Sequence, residues 1–268
     1  MLVSYVEERH VKSVMHNRFY RWLFFTYTKH LDLKNILIRY ETEQIIKRKY
    51  LAIPRVLDVG FGFGQRIFYL LSKYPKAGVL GIDISDKAVS YANKYFNQAE
   101  NPNVYCMKKD VMDLDDNASF DIAYAVKALN YIEDDKIALK KVYESLKPNG
   151  TLLLLNSHST KSQHEIIYDR IYSLPMFRDG YSLDKLEDMV KEAGFSKVEA
   201  RYVYGFTGNL AWKIVVAFPI KSVRISRLFI PLLPIYMLLA APIAGILNFY
   251  EFYIGHTMGR SIFIKAEK

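Results

Sequence analysis

The chain has 268 residues, 51% apolar and 24% charged, a formal net charge of +9 and a single cysteine, Cys106. That length allows one good core with residues to spare, and a lone cysteine excludes a disulfide framework or a thiolate metal site. The six histidines show no HExxH or paired spacing, so no metal is expected.

The opening, MLVSYVEERH, carries charges where a secretory signal needs an apolar run, and a cytoplasmic setting is expected. The charge is uneven along the chain. Residues 1–50 hold 10 basic and 5 acidic residues, 51–200 hold 19 and 21, and 201–268 hold 8 and 2. The middle is close to neutral and the two ends are basic. A polynucleotide-binding protein has such a profile, and so does a protein resting on an anionic membrane.

In chain order, residues 5–48 read as helical, dense in aromatics, and form an N-terminal helical cap over 1–50. From 51 onward strands and helices alternate. Strands are expected at 55–60, 78–84, 103–110, 120–126, 151–157, 196–205 and 260–268. Helices are expected at 65–74, 86–98, 133–146 and 182–195, the third stopped by Pro148-Asn149-Gly150. Strands interleaved with helices predict an α/β fold with a doubly wound, mainly parallel sheet.

The stretch VLDVGFGFGQRI, residues 56–67, ends an apolar strand in an aspartate and a glycine-rich turn before a helix. Such glycines let a ligand approach the backbone closely. A dinucleotide fingerprint needs glycine where Gln65 stands, and no Lys-Ser/Thr follows to cradle a triphosphate. Asp58, Asp83 and Asp110 each fall at the carboxyl end of a predicted strand, where a doubly wound sheet opens its crevice. Asp83 suits a pair of ribose hydroxyls and Asp110 an adenine amine, while Asp58 lies where a further polar or cationic group falls. Several acids without a phosphate binder favour a cationic adenosine ligand.

With these residues in order, the sequence resembles the class I S-adenosylmethionine-dependent methyltransferases of the broad type 11 group. VLDVGFGFG, GIDIS and KKDVMDL match the family's cofactor motifs, and the run from Ser119 to Leu155 matches its fourth strand, following helix and fifth strand. The resemblance covers roughly residues 50–200 plus the last strand. It implies a seven-stranded Rossmann-like sheet with S-adenosyl-L-methionine as cofactor. Gly60 and Gly62 would lie against its methionine and ribose portions. Asp83 would take the ribose hydroxyls with Ile84 beside the adenine. Asp110 and the Val111 N–H would bind the adenine ring. One departure is that Leu129-Asn130-Tyr131 stands where many relatives carry a histidine. Tyr131 is then a candidate to orient the acceptor or act as a weak acid or base, with a plain pocket wall as the other role. His158, just past the fifth strand, is the best-placed candidate base, ahead of His164 and His256.

The methyltransferase domain is thus expected at 51–205 plus 260–268, and residues 206–259 form an insertion before the last strand. Its run from Leu228 to Tyr250 carries no charge and is preceded by Lys213, Lys221, Arg224 and Arg227. A single crossing of a membrane would separate the last strand from its own sheet, and Pro231, Pro234 and Pro242 are expected to break the run into short helices. The insertion should therefore cover the acceptor side of the crevice, as a lid, a dimer contact or a surface resting on lipid. The expected acceptor is a lipophilic small molecule or lipid-linked precursor, met at the inner face of the membrane. Transfer to RNA or protein is the runner-up, and a catalytically idle partner subunit is the third reading. Nucleic acid is disfavoured by the near-neutral central domain.

Overall fold

In the computed structural model, residues 18–96, 101–158 and 176–268 are described. The helical expectations for 5–17 and 97–98, and the candidate His164, lie outside them. The chain begins there with α1 (Arg18–Leu31) and α2 (Leu33–Arg48). The break falls at Asp32, whose extended backbone ends one helix and starts the next. Tyr204 Oη donates to Asp32 Oδ1 at 2.8 Å and fixes that corner against the far end of the sheet.

The alternating part follows as β1 (Arg55–Val59), α3 (Gln65–Lys73), β2 (Gly78–Asp83), α4 (Asp86–Tyr95) and β3 (Val104–Lys108). Then come β4 (Phe120–Val126), α5 (Asp135–Ser145), β5 (Leu146–Ser157), α6 (Leu183–Glu192) and β6 (Ser196–Val203). The last strand is β7 (Ser261–Glu267). The seven strands form one sheet in the order β3-β2-β1-β4-β5-β7-β6. β1 to β5 pair in parallel, and β7 lies antiparallel between β5 and β6.

Alternation along the strands sends successive side chains to opposite faces. Leu57, Ala123, Leu154 and Ile264 pack under α5 and α6. Val56, Ile122, Leu153 and Phe263 pack under α2, α3 and α4. Both faces are covered, which is why the parallel strands read as near-continuous apolar runs.

Two expectations need correction. The strand expected from 151 already starts at Leu146. Leu146 pairs with Phe120 and Thr151 with Ile122, so residues 147–150 bulge out of register, with Asn149 in the left-handed region at φ 62°. Pro148-Asn149-Gly150 thus shapes a bulge within a strand as well as following a helix.

The second correction concerns the insertion. It opens with α7 (Phe206–Trp212), passes through a π-helical segment (Lys213–Ala217) into α8 (Phe218–Ile225), and turns through a 3-10 segment (Arg227–Leu232). It ends with α9 (Leu233–Tyr253), which runs through Pro242 without a break. Pro234 sits in the first turn, where no intrahelical N–H is needed. Around Pro242, the stripe Leu233, Met237, Ala240, Ala244, Asn248 and Glu251 is buried on both sides. That docking holds the helix continuous despite one missing hydrogen bond.

Candidate active site

β1 ends at Val59, and the backbone then turns through Gly60 and Gly62 at φ 66° and 59°. Both are left-handed, a conformation that side chains disfavour. A Cβ on Gly60 would also stand 3.0 Å from that of Ala128. Gly60 N–H donates to Ile82 O at 2.8 Å, laying the turn beside the end of β2. There Asp83 receives Gly62 N–H on Oδ2 at 3.0 Å and Ser85 N–H on Oδ1 at 2.9 Å. Asp83 is 9% exposed. Burial pushes its carboxyl above the ordinary carboxylate range, and the two backbone donors pull it part of the way back.

Asp58 has a different place from the one expected. It is fully buried and lies outside the cavity wall. Its carboxylate grips Arg66, with Nε 2.9 Å from Oδ1 and 3.1 Å from Oδ2. Arg66 Nη2 also donates to Gly60 O at 2.9 Å. Asp58 therefore fixes the glycine turn through Arg66, which itself lines the cavity. Asp58 has the parity of Val56, so its side chain stands on the sheet face packed under α2 and α3, and Arg66, the second residue of α3, was the signal for that role. Burial raises the Asp58 carboxyl and the guanidinium opposes the rise.

A cavity of about 540 Å³ opens at the carboxyl edge of the sheet, within the usual range for small-molecule sites. Gly60, Gly62, Asp83, Ile84, Asp110 and Val111 line it over β1, β2 and β3. Asp110 is exposed, and its Oδ1 accepts Met112 N–H at 3.0 Å, capping the short 3-10 turn Val111–Asp113. Val111 is buried beside it. Tyr131 lines the same cavity, on the 3-10 turn Leu129–Tyr131 after β4.

His158 is not brought to the cavity. Its ring packs edge-on against Tyr202 with centroids 5.1 Å apart, and its backbone N–H donates to Arg260 O at 3.0 Å. The chain turns outward after Ser157, and it is Ser157 that meets the cavity. His256 likewise stands outside the wall, with Nε2 3.0 Å from Glu251 Oε1. Among the described residues no group of three His, Cys, Asp or Glu is arranged to hold a metal ion.

The wall over β4, β5 and β7 includes residues that the sequence reading passed over. Lys127 follows β4 at φ 60°, Arg260 directly precedes β7, and Ser261 begins it. Asn209 and Trp212 of α7 also line the cavity. A charged residue directly after an apolar strand, in AVKALN, was the available signal for Lys127.

Residues 56–150 match the model of a methyltransferase domain family. The O-methyltransferase cnsE of Penicillium expansum is 31% identical over 150 residues, covering 54% of this chain and 52% of that protein. The chain spans about half the length of the curated relatives it matches. Phosphoethanolamine N-methyltransferase 2 of Haemonchus contortus, solved with S-adenosyl-L-methionine, superposes with a TM-score of 0.55 at 20% identity. That superposition covers 81% of this chain and 49% of the other. The cyclase SpnF superposes equally well, with a TM-score of 0.56 at 19% identity over 86% of this chain and 81% of its own. One fold thus carries different chemistries, and the site has to argue the reaction.

Proposed function

The chain carries a domain of the class I S-adenosylmethionine-dependent methyltransferase family, and on that premise we propose that it methylates a lipophilic acceptor met at a membrane surface. When bound, S-adenosylmethionine supplies an electrophilic methyl group on a sulfonium. The residues present fit it. Gly60 leaves a bare backbone where a Cβ would crowd Ala128. The Asp83 carboxylate, pre-oriented by two N–H donors, keeps lone pairs for ribose hydroxyls. Asp110, Val111 and Ile84 line the part of the cavity suited to a purine. The chain's own task is to align two reactants and exclude water. Tyr131, on the wall, orients the acceptor or shares its proton.

The observation that carries the lipophilic reading is the outward face of α9, which is as apolar as its buried one. Its buried stripe holds the polar Asn248 and Glu251, whereas Leu238, Leu239, Ile243 and Ile246 face outward, Leu238 at 75% exposure. Asn248 Nδ2 donates to Leu31 O at 2.6 Å, so the inner side is fastened to the protein. An exposed apolar face of this extent marks an interaction surface. Residues 228–253 are long and apolar enough to cross a bilayer by length and composition. Both ends of the insertion nevertheless return to one sheet edge, through β6 and β7. A helix held in this way lies along the interface, its apolar face among acyl chains and the basic residues near headgroups. Lys213 and Lys221, earlier in the same insertion, are exposed. Asn209 and Trp212 put the same insertion on the cavity wall, so an acceptor leaving the lipid has a short route.

The test is to incubate the protein with labelled S-adenosylmethionine and a total lipid extract, then identify the labelled product. A labelled lipid supports the reading. Label appearing only in added RNA or protein would replace it with the runner-up. A dimer whose contact covers α9, with no lipid product, would make the apolar face an interface between copies.

A further inference from the structure

The helix α7 follows β6, at the opposite edge of the sheet from β3, and its Asn209 and Trp212 line the cavity. α7 is pinned at both ends. At its start the Gly205 and Gly208 N–H groups donate to Glu251 of α9. A Cβ on Gly208 would stand 2.7 Å from that carboxyl group, so only glycine allows the approach. At its end α7 runs into the π-helical segment, where Tyr236 Oη of α9 donates to Ile214 O at 2.9 Å. A helix held in this way resists sliding along α9, and the side chains it presents have set positions.

Asn209 stands between the two pins. Its backbone N–H donates to Gly205 O at 3.1 Å and its carbonyl accepts the Lys213 N–H. Its side-chain amide, half-buried on the cavity wall, has no hydrogen-bond partner among the described residues. Helix propensity does not account for an asparagine inside this helix, since asparagine favours caps and turns. Trp212, one turn later, packs against the buried Val215, Val216 and Ala244. Small-molecule sites are apolar walls with a few placed polar groups that fix the orientation of the guest. An amide offers both donor hydrogens and an acceptor oxygen, which matches an uncharged head that also donates and accepts. A guest without such a head strips water from the amide and replaces none of its bonds, at a cost in affinity.

We propose that Asn209 is a specificity-determining residue of the acceptor site, its side-chain amide receiving a hydroxyl group of the acceptor. This rests on the lipophilic-acceptor reading, with the donor over β1 to β3 and the acceptor toward β6. The role is binding and selection, and no proton or methyl group passes through the amide.

The chain has two tryptophans, Trp22 and Trp212, so Trp22→Phe leaves Trp212 as the only indole, one turn from Asn209. The experiment follows its emission in that background, with the protein saturated by S-adenosylhomocysteine, during titration with hexanol and with hexyl methyl ether. The ether accepts hydrogen bonds but donates none. Hexanol should change the emission saturably. Adding Asn209→Leu should lower the hexanol-to-ether affinity ratio by roughly twofold to tenfold, the worth of one uncharged hydrogen bond. The shared alkyl chain makes this a double-difference measurement in which apolar contact cancels. Asn209→Ala should lower the ratio alike and keeps the test open where the leucine variant fails to fold. Affinity for S-adenosylhomocysteine should be equal in all of these proteins. An unchanged ratio, even where both affinities drop together, would overturn the proposal, because that pattern belongs to a merely structural residue. Emission that hexanol leaves unchanged in the Asn209 protein would overturn it too. A lowered ratio with no label entering any lipid keeps the Asn209 site and loses the lipid-acceptor reading. Labelled lipid with an unchanged ratio loses the Asn209 site alone.

Discussion

Glu251, near the end of α9, accepts the Gly208 N–H of α7 on Oε2 at 2.8 Å, across 43 residues of sequence. The same carboxylate accepts Gly205 N–H at 2.7 Å and Thr207 Oγ1 at 2.8 Å. It caps the start of α7 from a distant helix, doing the work a local Ser or Asp does elsewhere. A carboxylate at a helix N-terminus also meets the positive end of the helix dipole.

Glu251→Ala should therefore loosen the insertion more than the sheet. Buried donors left unsatisfied cost about 1–3 kcal/mol each, so a loss of roughly 2–4 kcal/mol is expected in denaturant unfolding. Hydrogen exchange should rise in residues 205–212 and 248–256 while β1 to β5 stay protected. Equal exchange across the whole chain would remove the latch from Glu251.

Arg66→Ala is expected to be worse for the fold than its partly exposed position suggests. It leaves the fully buried Asp58 without its partner, and breaking a buried pair from one side costs about 3–5 kcal/mol. Asp58→Asn with Arg66→Ala should recover part of that loss. Thermal unfolding of the two single variants and the double variant measures the coupling, and additive losses would contradict it.

Asp83→Ala should weaken S-adenosylmethionine by roughly tenfold to 150-fold, the loss of hydrogen bonds to a charged acceptor. Its raised pKa sets the sign of two pH effects. Ribose hydroxyls need the ionised carboxylate as acceptor, so cofactor affinity should fall with acidification at a higher pH than for an ordinary carboxylate. For stability the sign is opposite. The folded state holds this proton more tightly than the unfolded chain does, so the contribution is full below the ordinary carboxylate range. It fades as pH rises through the raised value. Titrations of cofactor affinity against pH in wild type and Asp83→Asn should differ by this one ionisation, and superimposable profiles would contradict the assignment.

The outward face of α9 makes sedimentation with acidic liposomes the expected behaviour, reversed in part by salt. Each basic residue near an anionic surface contributes about 1 kcal/mol, so changing Lys221, Arg224 and Arg227 together to Gln should cost up to about 3 kcal/mol. Leu238→Ser with Leu239→Ser should weaken binding at any salt concentration, because burial of a leucine is worth about 1.5–3 kcal/mol. Cofactor affinity should not change in either variant. Wild-type protein that stays in the supernatant would move α9 from lipid to a protein contact.

The sheet was legible because its signals are local. Apolar runs of strand length, the Ser cap at Ser182 and Gly194 after α6 set most boundaries within a few residues. Asp83, Asp110 and the glycine turn were legible because strand ends in a doubly wound sheet converge on one edge. Asp58 and His158 were misplaced for one shared reason. Their side-chain directions depend on the parity of the strand and on the turn after it, which spacing alone does not fix. Lys127 was passed over because a lysine after a strand looks like a solvated residue until β5 and β7 supply Ser157 and Ser261. Pro242 was read as a breaker, but docking on both sides of it decides the matter.

The antiparallel entry of β7 has a consequence for how this chain can be rebuilt. Arg260 N–H bonds to Tyr204 O at 3.1 Å, so the two ends of a 54-residue excursion, 206–259, meet at one point of the sheet. Loop-closure entropy changes slowly with length when the ends are already joined. The segment is thus a cassette: a tight hairpin between Tyr204 and Arg260 would keep the sheet with Asp83, Asp110 and the glycine turn in place and leave the cavity without Asn209 and Trp212. On the proposed function, such a shortened chain, or one carrying a foreign excursion at the same joint, would keep the candidate donor residues and meet a different set of acceptors.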